Sequence, residues 1–383
     1  MDLTLSDEQR LLRESADRFV AETFTADLRR RMASEPLGFS PKVWKQFSDL
    51  GWLALPIDEP HGGLGGGAIE IGILMEAFGR GLAAEPYLST VVIGAALVAE
   101  CGTEAQKRAI LPKVADGSLH LAFAHSERAA RFDLAKVATS ASQAPDGWRL
   151  DGQKIAVLDG NAAGQIIVSA RLAGSNGACG KMCLFLVPAG TPGLVLRDYS
   201  RLGGGRACNL DLSDILLPAD ALLGDGSDAL PAIESVVDRA MAALGSEAVG
   251  IMQTLLDHTL EYTKIRKQFG RPLSANQVIR HRLADMAMQC DEARSMALRA
   301  ALMADAEPVA RSRAASGAKA KIGKCARFVA EQSVQLHGAM GVTEELDIGS
   351  YFKRLLAFDT LFGGSAHHYR RYAELGGRAN HHA

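Results

Sequence analysis

The chain has 383 residues, 48% of them hydrophobic, and a formal charge of −2, a globular composition with enough apolar content for two or three domains or layers. Acids and bases nearly balance, which argues against nucleic acid as the main partner, and the longest apolar run, Val91 to Ala99, is too short to span a bilayer. Asp2, Asp7 and Glu8 do not fit a secretion signal, and six cysteines in this length do not suggest a disulfide framework, so a reduced, cytoplasmic location is expected. Cys179 and Cys183 have no second pair at metal-ligand spacing, so ordinary thiols are favoured over a metal site.

The first third reads as helices. Ser6 and Gln9 form a capping box ahead of Leu11, Leu12, Ala16, Phe19 and Val20 at helical spacing. Ser40-Pro41 starts a second helix, with Trp44, Phe47 and Leu50 on one stripe and Gly51 as its end. The loop His61 to Gly67 is glycine-rich but lacks the GK[ST] ending of a P-loop, so a flexible inter-helix loop is expected. Thr103 to Gln106 is another capping box.

Near Leu119 the pattern changes to short β-like runs that continue to about Leu223. Asp151-Gly152 carries a turn signal, and Ile166-Ile167-Val168, Met182 to Val187 and Val195-Leu196 are each bounded by Gly, Pro or Asp. Leu210 and Leu212 alternate with Asp211 and Ser213 as in a half-buried strand. A small antiparallel barrel or sandwich is predicted here. Beyond Gly226, Ala229 to Gln268, Gln277 to Ala304 and Ala310 to Leu336 show apolar residues at three- and four-residue steps, the pattern of a helical bundle. The expected division is 1–118 helical, 119–225 β and 226–383 helical.

One segment carries most of the chemistry. Tyr262 to Pro272 begins as a basic helix end, with Lys264, Arg266 and Lys267, and Gly270 and Pro272 stop the helix. Ser274 to Gln277 reads as a capping box for the next helix, so Arg266, Phe269 and Gln277 are predicted around one helix–helix corner. A guanidinium, a ring and an amide together suit a ligand bearing phosphate and a ring. The same run also reads as an ordinary basic helix end.

The helix–β–helix order, Tyr262 to Pro272, Gln335 to Gly341 and Ile215 to Gly224 together resemble the acyl-CoA dehydrogenase family over nearly the whole chain. Ala124 to Arg128, Tyr351 to Arg354 and Asp359 to Gly364 are most similar to small subunits of pimeloyl-CoA dehydrogenases and to actinobacterial steroid side-chain enzymes. The resemblance implies a mainly α fold with a central β-barrel and a C-terminal four-helix bundle, FAD as cofactor and an acyl-CoA substrate, dicarboxylyl or steroid-derived. It also implies a second acyl-CoA dehydrogenase subunit or a tetramer of one chain, and an electron-transferring flavoprotein as acceptor, with no membrane. Arg266, Phe269 and Gln277 match residues along the pyrophosphate and adenosine portion of FAD, and Gln335, Gly338 and Gly341 match the turn where backbone comes close to it. Glycine there leaves no Cβ in the way.

Ser126 and Glu127 match a Thr-Glu-Pro stretch near flavin and thioester, although Arg128 stands for the proline. The tryptophan and threonine expected beside the flavin are Ala156 and Leu158. The two family positions for the catalytic carboxylate are Gly363 and Ala240. Glu247 lies two turns beyond Ala240 on the same face, in an apolar stretch, and is the expected base. A structural salt bridge is the competing reading. Asp238, Asp359, His367 and His368 are weaker candidates. Two roles follow from the resemblance: a working dehydrogenase, or a non-catalytic subunit completing the flavin site of a larger chain.

Overall fold

The computed structural model describes residues 4–173, 179–343 and 345–379, so His381 and His382 lie outside it. The N-terminal layer holds α1 (Asp7–Thr23), α2 (Ala26–Ser34), α3 (Pro41–Asp49), α4 (Ala68–Gly81), a π-helical turn (Leu88–Ala95), α5 (Ala96–Cys101) and α6 (Glu104–Ala115). Local chemistry explains the starts. The Ser6–Gln9 and Thr103–Gln106 capping boxes both form, and the Ser40 hydroxyl accepts from the Val43 amide with Pro41 at the first turn. Val43, Trp44 and Phe47 turn inward, and Phe47 stacks on Phe78 with ring centroids 4.7 Å apart. Leu50, expected on that stripe, follows the helix end and is exposed.

The glycine-rich loop is tightly bonded to its own chain. The amides of Gly63, Leu64, Gly65 and Gly66 donate to carbonyls of residues 54–58, and the Gly67 amide to Glu70. Those donors are satisfied, which leaves the loop no amide cradle for a phosphate.

The middle layer is one eight-stranded sheet: β1 (Leu121–Ala124), β2 (Ser140–Ala144), β3 (Gly147–Leu158), β4 (Gln165–Ala173), β5 (Cys179–Pro188), β6 (Leu194–Ser200), β7 (Arg206–Pro218) and β8 (Leu222–Leu223). The order is β6-β7-β3-β2-β4-β5-β8, with β1 also beside β4. This corrects the expected antiparallel barrel: β1 and β2 run parallel to β4, and among the described residues the sheet stays open. Alternation identifies a strand, whereas its partner is set by long-range packing. The predicted turn at Asp151-Gly152 is instead a bulge inside β3, where the register against β7 shifts, while the β2–β3 turn falls at residues 145–146.

The C-terminal layer packs α7 (Leu230–Ile265), α8 (Gln277–Leu302) and α9 (Pro308–His337) on one another, with α10 (Ile348–Thr360) and α11 (Ser365–Ala379) against α9. Helix α7 ends three residues before the predicted Gln268. A hairpin of β9 (Lys267–Gln268) and β10 (Arg271–Pro272) follows in place of a simple corner. The predicted Ser274–Gln277 capping box is absent, because Asn276 is the N-cap of α8 and makes no side-chain cap bond.

The N- and C-terminal layers meet where α4 crosses α7. A Cβ on Gly79 would overlap the Glu247 carbonyl, and one on Gly250 the Glu76 carbonyl, so the backbones touch only because both residues are glycine. Gly79→Ala is expected to lower the unfolding free energy by about 3 kcal/mol. Gly377→Ala, on α11 with nothing near its Cβ, is expected to raise it by up to ~1 kcal/mol. Chemical denaturation of both variants checks the pair.

Candidate active site

A cleft of about 920 Å³ lies between the sheet and the C-terminal helices. Its walls are the 125–135 segment after β1, Ala156 and Leu158 of β3, Val237 and Met241 of α7, and the α10–α11 turn. Phe132 reaches across to His367, with ring centroids 5.4 Å apart. Ala156, Leu158, Thr360 and Leu361 also border a second cavity of about 420 Å³, so the two spaces meet at these short or apolar side chains.

Ser126 and Glu127 both line the cleft, and Ser126 is exposed in it. The Glu127 carboxylate is engaged inside the domain. It accepts from Lys154 Nζ at 2.8 Å, from the Thr139 hydroxyl at 2.7 Å and from the amides of Ala138 and Thr139. Burial acts to raise its pKa, but the Lys154 hydrogen bond and charge outweigh it and hold the carboxyl below its ordinary range. Burial in turn pulls Lys154 down to about 8 against the pull of Glu127. Glu127 is therefore a bracket that fixes the wall.

At the α10–α11 turn Gly363 has φ +112, and a Cβ would stand 2.7 Å from the His367 ring. The turn is held by α9 and α11. The Lys319 ammonium donates to the carbonyls of Phe358 (2.8 Å) and Gly363 (2.9 Å), and His368 Nε2 lies 3.1 Å from the Phe362 carbonyl. Burial pushes Lys319 down to about 8 and, with the nearby Lys319 charge, His368 down to about 3, so His368 is neutral. Sequence reasoning missed Lys319, which sits within an unremarkable alanine-rich helical pattern.

Glu247 does not line this cleft. Its carboxylate accepts from Arg354 Nε at 2.7 Å and Nη2 at 2.6 Å, with Glu247 buried and Arg354 half-buried. The expected desolvated base is thus one half of a largely buried ion pair. It faces a narrow space of about 30 Å³, separated from the cleft by Leu158 and Leu361, which border both. The other acidic candidates are also engaged: Asp238 by Arg371 and Ser312, and Asp359 by Ser365. The sequence signal for the counterion was Arg354, in the Tyr351 to Arg354 stretch.

The residues matched to the outer half of FAD form a separate group. Arg266, Phe269, Gln277, Gln335 and Gly338 are exposed, and none lines the cleft. Phe269 and Gly270 make the tip of the β9–β10 hairpin, both with left-handed backbones (φ +52 and +79), and the Phe269 ring lies wholly in solvent. The Tyr262 ring stacks on His337 at 4.4 Å and so ties the hairpin base to the turn after α9. There Gly338 has φ +61 with nothing within 4 Å of a would-be Cβ, whereas Gly341 is packed against Val334 and His337.

Residues 6–118, 122–215 and 230–375 match the models for the N-terminal, middle and C-terminal domains of acyl-CoA dehydrogenases. The chain is 31% identical over 353 residues to "Probable acyl-CoA dehydrogenase YngJ" of Bacillus subtilis, covering 91% of this chain and 92% of that one. It is 31% identical over 317 residues to the human mitochondrial short-chain specific acyl-CoA dehydrogenase, covering 81% and 76%. Among solved structures, the Tcur3481-Tcur3483 steroid ACAD variant superposes with TM-score 0.87 at 30% identity, covering 98% and 99% of the two chains. Butyryl-CoA dehydrogenase from Megasphaera elsdenii superposes with TM-score 0.89 at 26% identity, also covering 98% and 99%. The chain therefore belongs to the acyl-CoA dehydrogenase family, oxidoreductases that act with a flavin, FAD, on the CH–CH bond of acyl-CoA.

Proposed function

We propose that the chain is one subunit of a hetero-oligomeric, FAD-dependent acyl-CoA dehydrogenase, a heterotetramer in the simplest case, and that the catalytic carboxylate belongs to the partner chain. The observation that carries this reading is the fate of the acids: Gly363 has no side chain, and Glu247 is held by Arg354 outside the cleft. The residues present fit the outer half of FAD. Arg266 offers a guanidinium fork for the pyrophosphate, Phe269 a free ring face for the adenine end, and Gly338 open backbone. The cleft has room for a flavin ring, but Leu158 supplies no hydrogen bond at the position matching the family threonine. Bound FAD supplies the hydride acceptor. The arm of this chain binds and orients it, and Leu158, Leu361 and Phe362 exclude water from the cleft wall.

Likeness to the steroid ACAD and to pimeloyl-type subunits favours a bulky or dicarboxylic CoA thioester, with an electron-transferring flavoprotein as acceptor, in the cytoplasm. In this reading 1–118, 119–225 and 226–383 serve as its domains.

A second reading keeps Glu247 as the base of a self-sufficient enzyme. It is favoured by the thin partition of Leu158 and Leu361 between Glu247 and the cleft, and it requires Arg354 to release the carboxylate.

Purified alone, the chain is expected to hold little flavin and to turn over no acyl-CoA, with both restored on co-expression with its partner chain. Stoichiometric flavin in an active homomer overturns that. Within the assembly, Arg266→Ala is expected to weaken FAD retention roughly tenfold to a hundredfold, read by dialysis and flavin absorbance, as for losing a charge-assisted bond of about 1.5–3 kcal/mol. Glu247→Gln separates the two readings. Loss of about 3 kcal/mol of stability with turnover kept in the folded assembly supports the first. Turnover abolished in the folded, flavin-bearing assembly supports the second.

A further inference from the structure

Five ionisable side chains from all three layers face a narrow space of about 30 Å³, which has room for water and little more. Glu85 follows α4, Asp159 and Arg201 come from the sheet layer, Glu247 from α7 and Arg354 from α10. Arg354 grips Glu247 and also reaches the carbonyls of Gly204 (3.3 Å) and Ala83 (3.4 Å). Asp159 accepts from the Ser89 hydroxyl at 2.6 Å. Glu85 receives only backbone amides, from Ala84 at 3.1 Å and Ser40 at 3.4 Å.

Neither Glu85 nor Asp159 receives a guanidinium hydrogen bond, although Arg201 and Arg354 lie close enough to act on both charges or on one of them. Other cations on the packed elements are already matched: Arg80 with Glu76 and Asp17, Arg206 with Asp198, and Arg29 with Asp347. Fully ionised, the cluster therefore sets three acids against two bases where Asp159 and Glu247 are buried and Glu85, Arg201 and Arg354 are half-buried, so the excess charge is poorly solvated.

We propose that this junction is a proton-controlled clasp: one carboxyl of the cluster carries a proton while the three layers are locked, and loss of that proton loosens α10 from α4 and from the sheet. Glu85 is the holder. Burial pushes its carboxyl up to about 7, against the amide bonds and Arg354, and burial raises Asp159 as well. The sign follows from linkage. A carboxyl whose pKa is raised in the locked state contributes its full stabilisation below the ordinary carboxyl range and loses it as pH rises through about 7.

Hydrogen exchange followed by mass spectrometry on the full chain, corrected for the intrinsic pH dependence of exchange, tests this. Between pH 6 and 8.5 exchange is expected to rise about tenfold in segments 83–89, 157–160 and 350–358 while the α8 segment stays level. Glu85→Gln, which is neutral at every pH, is expected to remove the rise. A flat wild-type profile, a rise shared by the whole chain, or a rise that persists in Glu85→Gln overturns the proposal. Should that variant fail to fold, the wild-type profile decides alone. Flavin content plays no part in the readout, so the proposal and the subunit assignment stand or fall separately.

Discussion

The guanidinium of Arg354 is where the three layers of the molecule are joined. Its Nε and Nη2 take the Glu247 carboxylate of α7, Nη1 reaches the Gly204 carbonyl in the loop after β6, and Nη2 also reaches the Ala83 carbonyl after α4. A planar fork with five donors can answer several acceptors at once, which a lysine ammonium on a flexible stem does with less geometric definition. The loop folds round α10 because Gly203, Gly204 and Gly205 all adopt positive φ (+84, +103 and +73), and a Cβ on Gly203 would press on the Arg354 backbone. Beneath it, the glycine contacts of α4 and α7 bring the Glu247 turn against the N-terminal layer.

That joint decides what the cleft can do. Arg354 joins the layers on either side of the cleft, and Glu247, two turns beyond the family position at Ala240, is committed to that joint. Glu127 is similarly committed to Lys154. Two acids that sequence suggested for chemistry are thus used to fix walls. For Glu127 the buried Lys154 ammonium favours the ionised carboxylate, because taking a proton would strand that charge.

Much of the fold was legible, and the legible parts were local. Ser6, Ser40 and Thr103 announced helix starts because a cap is decided by four adjacent residues. The strands were legible from alternation, but β2 beside β4 was not, since pairing depends on where the N-terminal layer delivers β1. The corner after α7 was misread because Phe269-Gly270 lacks the usual Asn or Asp. Its two successive left-handed residues are nevertheless those of a two-residue hairpin turn. The role of Glu247 was illegible for a different reason: Arg354 is 107 positions away, and no period links them.

The hairpin tip bears on why the candidate site is divided. A phenylalanine held at φ +52 carries a backbone penalty of about 1–2 kcal/mol, and its ring, fully in water, forgoes roughly 1.5–3 kcal/mol of burial. Among the described residues nothing offsets either term, since the ring is fully exposed. Covering the ring with another molecule would offset both. Arg266 at its base and the open Gly338 beside it through the Tyr262–His337 stack give that surface an anion-seeking end and an aromatic end, the polarity that the proposed role of this arm in holding FAD calls for.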